Sequence, residues 1–228
     1  MRILRAGLVG AAGLAAVLSV VGMLRPIEAA PSQVLRRVTV GDHVIIGEVF
    51  YDPVGSDNGL EWVELYNPTS KTIGLSDYSL GNGGIDYLYS RVQLSGLLPG
   101  GACWVVGGPT STITDYLPLF DQAIDFAPDF QNGATPADGI ALFDVKAISI
   151  TSRTVPIDAV IYGTANTNDL IDETGSVNPP DVDAASSGQS NERCDITGTW
   201  SIQSVPNPNN CAILMTTTRP HRPRPEAS

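Results

Sequence analysis

Residues 45–69 read IIGEVFYDPVGSDNGLEWVELYNPT. Two short runs of β-branched and aromatic residues flank a loop that holds Pro53, Gly55 and the Asp57, Asn58, Gly59 turn signal. These loop residues tolerate the positive φ of a tight reversal, so the stretch reads as a β-hairpin. It also gathers five acids: Glu48, Asp52, Asp57, Glu61 and Glu64. Whether they perform chemistry, hold a metal or order the hairpin sets the functional reading.

Strand geometry argues against chemistry. Alternation places Glu61, Val63 and Leu65 on one face of the second strand and Trp62, Glu64 and Tyr66 on the other. Glu61 and Glu64 then point opposite ways, whereas a paired-carboxylate hydrolase needs both acids in one cleft. Glu48 is expected to share a face with Ile46 and Phe50, and a buried carboxylate there needs a partner, Arg91 or Arg193. Asp52, Asp57 and Glu61 are expected to order the hairpin through turn and capping hydrogen bonds. Calcium is the rival, since Asp52, Asp57, Asn58 and a loop carbonyl offer oxygen ligands. Their spacing matches no EF-hand and no aspartate repeat follows, so no metal site is assigned. Trp62 is expected to pack inside the domain.

The rest of the chain continues the strand-and-turn pattern. Strands are expected over 44–51, 61–66, 72–75, 78–80, 88–94, 102–107, 140–143, 147–151 and 157–162, with a last one around Trp200. No sustained 3.6-residue apolar period occurs outside the N-terminal segment. Short strands with frequent turns predict an all-β, antiparallel sandwich or barrel. Residues 164–189, rich in Asn, Asp, Ser and Pro, read as a long surface loop. The aromatics Tyr51, Trp62, Tyr66, Tyr87, Tyr89 and Trp104 are expected in the core, with an exposed binding patch as the alternative.

Both ends differ from this body. Arg2 and Arg5 precede LVGAAGLAAVLSVVGML, so residues 1–30 read as a signal peptide, or as an uncleaved N-terminal membrane anchor. Residues 31–43 follow as a linker, 44–212 as the β domain, and 213–228 as a disordered Pro/Arg-rich tail. The expected location is extracytoplasmic, secreted or in the cell envelope. Of three cysteines, Cys194 and Cys211 flank a short segment suited to a disulfide, while Cys103 in ACWVV reads as a buried free thiol. A net charge of −11, with most basic residues toward the ends, disfavours nucleic acid as a partner.

The stretch GEVFYDPVGSDNGLEWVELYNPT resembles the opening of the lamin-tail domain in its bacterial, exported form. The resemblance continues through IGLSDYSL, LLPGGACWVVGG, ADGIALFD, IDAVIYG and SGQSNERC, covering roughly residues 44–210. The long loop at 108–138 and PNPNN at 206–210 depart from the family pattern. The resemblance implies an immunoglobulin-like antiparallel β-sandwich, and it implies no catalytic residues. Lamin-tail domains are non-enzymatic modules, linked with nuclear-envelope scaffolding in animals and found beside nucleases, phosphatases and surface proteins in bacterial exported proteins.

Direct search for catalysis agrees with that implication. The two histidines, His43 and His221, lie before the first strand and in the tail, and no GxSxG elbow, phosphate loop, HExxH or Cys/His cluster occurs. The chain is therefore expected to be a non-enzymatic, cofactor-free interaction or adhesion module whose partner is an unknown protein or cell-surface polymer. A membrane enters only through an uncleaved anchor. The alternative is an exported metal-dependent hydrolase, or an accessory factor of an extracellular nuclease or phosphatase.

Overall fold

The computed structural model describes residues 41–211. The expected signal or anchor (1–30), most of the linker (31–43) and the tail (213–228), with His221, lie outside the described residues. The strands are β1 (Ile45–Phe50), β2 (Trp62–Tyr66), β3 (Ile73–Gly74), β4 (Ser79–Gly83), β5 (Ser90–Gln93) and β6 (Leu97–Leu98). They continue with β7 (Cys103–Gly107), β8 (Gln122–Ala123), β9 (Asp138–Phe143), β10 (Asp158–Tyr162), β11 (Ser190–Arg193) and β12 (Trp200–Gln203). One sheet runs β12–β11–β1–β2–β7–β8, a second runs β10–β9–β4–β5, and β3 pairs with β6. All ladders are antiparallel except the short β7–β8 pair.

Alternation along β1 and β2 builds the space between the sheets. Ile46, Val49 and Tyr51 from β1 and its end, with Val63 and Leu65 from β2, meet Leu80, Val92, Ile140, Leu142 and Val160 from the second sheet. The alternation slips once. The register steps from Ile46 opposite Leu65 to Glu48 opposite Glu64, so Gly47 is an extra residue and forms a bulge. Ile46 therefore faces the core, while Phe50 packs with Trp62 and Val105 on the opposite side of the sheet. Glu48 lies opposite the outward Glu64 and does not share the face of Ile46, a correction to the alternation read from sequence.

Beside the bulge, the backbone groups of Ile46 turn to side chains. Its N–H donates to Asp158 Oδ2 at 2.7 Å, and its carbonyl accepts from Arg193 Nε at 2.8 Å. Arg193 Nη2 closes the triangle on Asp158 Oδ1 at 2.5 Å. This buried ion pair joins β11 of one sheet to β10 of the other.

Both sheets are also covered on their outer faces. Trp62, fully buried as expected, stacks on Phe50 at 5.5 Å and donates from Nε1 to Asp115 O at 3.1 Å, beneath a loop that supplies Tyr116 and Phe120. On the second sheet, Tyr87, Ala141, Phe143, Ile161 and Leu170 form a smaller cluster. Residues 164–189 thus pack against the sheet, with Asp181 Oδ2 accepting from Ile161 N at 2.8 Å. The strand expected at 147–151 is instead a 3-10 turn, Ala147–Ser149, because Ile148 is 84% exposed and finds no apolar face.

The disulfide differs from the expected one. Cys211 pairs with Cys103, with Cα atoms 6.0 Å apart, and Cys194 is free. The reason is topological. Cys194 sits at the turn of the β11–β12 hairpin, its N–H bonded to Thr199 O and its Sγ to Ser201 Oγ. After β12 the chain crosses the outer face of the sheet and reaches Cys103 on β7. Closeness in sequence misled; Cys103 is neither free nor an isolated core thiol.

Candidate functional site

The hairpin acids divide into two sets. Glu61 is buried, and both its oxygens lie 2.9 Å from the Phe130 N–H. Burial, then Asp129, Asp57 and Asp125, push its carboxyl up to about 9, while the Phe130 bond pulls the other way. Asp57 is also raised, by burial and by Asp52 and Asp129. Its carboxylate reaches Asn132 Nδ2 at 3.4 Å, while the turn itself is closed by its backbone carbonyl, which accepts from Leu60 N at 2.9 Å. The Asp52 carbonyl likewise accepts from Gly188 N at 2.7 Å. The expectation that these side chains order their own hairpin is therefore corrected: Glu61 and Asp57 tether a distant loop.

Glu48 and Glu64 belong to a different group. Cross-strand register places Glu64, Glu48 and Glu192 side by side on β2, β1 and β11, and all three are buried. Glu48 accepts from Ser190 Oγ at 2.5 Å and Asn207 N at 3.3 Å, Glu64 from Asn210 N at 3.1 Å, and Glu192 from Gln203 Nε2. Burial first, with like-charged neighbours adding to it, raises Glu48 to about 8 and Glu64 to about 7. Neither expected arginine partner reaches Glu48. Arg193 is committed to Asp158, and Arg91 extends to Ala147 O at 3.5 Å. Segment 204–211 lies over the row, so these acids are enclosed hydrogen-bond acceptors without a cleft. Among the described residues, Glu64, Cys103 and Cys211 bring three potential metal-ligand atoms together, but both sulfurs are already bonded to each other.

The open site lies elsewhere, at one end of the second sheet. A groove of about 800 Å³ is lined by the β4–β5 loop, by residues 130–136 with Asp138, and by Asn168. The Asp86 carboxylate accepts from Leu88 N at 3.1 Å, an Asx turn over residues 86–88 that contains Tyr87 and ends just before Tyr89. Tyr87 turns inward and donates to Ile171 O at 2.7 Å; Tyr89 is 49% exposed and Ile85 78% exposed. Asp138 Oδ2 accepts from Gly133 N at 2.7 Å, and burial raises its carboxyl. Asn168 Nδ2 donates to Ala137 O at 2.7 Å, while its Oδ1 is enclosed without a partner. Sequence reading placed Tyr89 in the core with the other aromatics; the Asp86 turn is the signal that separates it from Tyr87. Gln131, Asn132 and Asn168 carried no motif.

His43 is bonded to its neighbour Asp42 at 2.5 Å. Two facing sheets, covered outer faces and a loop-end groove define an immunoglobulin-like β-sandwich. The Lamin Tail Domain profile matches residues 38–176, more than half of the chain, and the chain belongs to that family. Strands β11 and β12 and the segment that covers the glutamate row lie beyond the matched span. No curated protein matches the chain. Among solved structures, the crystal structure of a DUF4876 family protein from Bacteroides thetaiotaomicron is similar at 12% identity and a TM-score of 0.40, over 71% of this chain and 68% of that one. Among the described residues, no helix is long and apolar enough to cross a membrane.

Proposed function

We propose that this chain is an exported, non-catalytic interaction module that engages a protein or polymer outside the cytoplasm through the loop-end groove. The groove carries the reading: an exposed aromatic, an exposed isoleucine and an unpaired amide oxygen gather where three loop segments converge. Apolar surface with a few convergent polar groups marks a binding site. The Arg-led N-terminal apolar run and the Cys103–Cys211 disulfide support a secreted or envelope location. Hydrolysis is less well supported, because Glu61 is capped by Phe130 and the glutamate row is covered. The acids in the groove, Asp86 and Asp138, already accept backbone N–H groups.

Labelled exported protein should bind intact cells or shed envelope of its source, and Ile85→Asp should remove that binding without unfolding the domain. Phosphodiesters and phosphomonoesters should stay intact, with or without added magnesium or calcium. Cleavage that disappears in a folded Asp138→Asn variant would replace this reading with a hydrolase.

A further inference from the structure

We infer that the ligand of the groove is a neutral, hydroxyl-rich glycan; this rests on the interaction-module reading and names its partner class. Among the described residues, no Lys or Arg lines the groove, and Asp86 and Asp138 do. Phosphate, sulfate and uronate groups would meet acids and no cation, so anionic ligands are disfavoured. An ammonium group would surrender its hydration to carboxylates already engaged by Leu88 and Gly133. Uncharged hydroxyls lose far less on entering such a site.

The remaining features match a sugar ring, which has an apolar C–H face and a rim of hydroxyls. Tyr89 and Ile85 supply exposed apolar surface. The polar side is unusually focused. A Cβ on Gly84 would lie 2.6 Å from Asp138 Oδ1, 3.2 Å from Asn168 Nδ2 and 3.5 Å from Gln131 Oε1, so three polar ends from separate positions close on one point. Asn168 brings its Nδ2 to this point, and its enclosed Oδ1 has no donor within the protein; a ligand hydroxyl that reached it would remove the cost of an unpaired buried acceptor. The volume of about 800 Å³ falls in the range of small-molecule sites, about 300–1,000 Å³.

The test is native electrophoresis of the full exported chain through gels containing dextran, mannan, arabinogalactan or β-glucan, with alginate as the acidic polymer. At least one neutral polymer should retard the protein, and alginate should not. Calorimetry with an oligosaccharide of the retarding polymer should then show Tyr89→Ala and Asn168→Ala each weakening binding about tenfold or more, as for central contact residues. Ile148→Ser, exposed outside the groove, should bind as wild type. If Tyr89→Ala does not fold, Asn132→Lys at an exposed groove position should give the same loss. Retardation by no neutral polymer, or binding that both groove variants retain, overturns the inference. If cell binding still depends on Ile85 while every neutral polymer fails, the glycan is wrong and the interaction module stands. Groove-dependent binding of decalysine would make the partner a basic peptide and likewise overturn it.

Discussion

Arg193 bonds the Ile46 carbonyl through Nε and Asp158 through Nη2, and its guanidinium lies 4.8 Å from the centre of the Trp200 ring. Each contact answers a defect. Beside the Gly47 bulge, the N–H and carbonyl of Ile46 turn to side chains although Ile46 still sits opposite Leu65, Asp158 would otherwise be a buried acid without a counter-charge, and the Trp200 face needs cover. Removing one member of a buried ion pair leaves the other charge uncompensated, at about 3–5 kcal/mol. Arg193→Ala should therefore lower the unfolding free energy by about 3–5 kcal/mol in urea titration. Lysine lacks the planar fork that serves Ile46 and Asp158 together, so Arg193→Lys should recover little. Arg91→Ala, at an exposed position, should fall within about 0.5 kcal/mol of wild type. Equal midpoints for the two alanine variants would refute the buried triangle.

The β11–β12 hairpin and the segment after it show how far sequence reading reaches. Strands β1, β2, β7, β9 and β10 announce themselves through Val, Ile, Leu and aromatic residues bounded by turns, and their pairing yields the sandwich. Strand β11 reads Ser-Asn-Glu-Arg, yet all four residues are buried. It has no apolar alternation because one face lies under segment 204–211 and the other supplies Arg193 to the inter-sheet triangle. Only the family-like SGQSNERC stretch marked it. The Gly47 bulge was equally hidden, since it inverts the face of Glu48 without changing composition. The groove was harder still: its amides come from separated loops and share no motif. The same long-range logic governs the disulfide, whose partners are 108 residues apart. Closing a loop of that size stabilises by about 4–5 kcal/mol in the chain-entropy model. Cys103→Ser and Cys211→Ser should each lower stability by about 2–5 kcal/mol, and Cys194→Ser by much less. Peptide mapping without reduction should recover a Cys103–Cys211 crosslink; a Cys194–Cys211 crosslink would overturn the path of segment 204–211.

Across the domain, three buried glutamates tie stability to pH in one direction. Glu61, Glu48 and Glu64 are raised to about 9, 8 and 7 from an ordinary value of 4.5, chiefly by burial. The folded chain thus holds protons that the unfolded chain has already released. Linkage makes their contribution complete below about 4.5 and drains it as pH rises through 7 to 9. Asp195 runs the other way, lowered to about 2 chiefly by its hydrogen bond from the Thr197 side chain, so its contribution is lost only in strong acid. It is a partly exposed surface group and adds little. The urea midpoint should therefore fall steadily from pH 5 to pH 9. Hydrogen exchange over residues 204–211 should quicken in the same window, because the backbone N–H groups of Asn207 and Asn210 rest on Glu48 and Glu64. A Glu48→Gln, Glu64→Gln double variant, neutral at both positions, should flatten the exchange response over residues 204–211 and make the midpoint fall less steeply, leaving the part owed to Glu61, with the groove intact. A wild-type midpoint that holds constant from pH 5 to pH 9 would mean that the carboxylates ionise within the fold at no cost, and that segment 204–211 does not seal them from water.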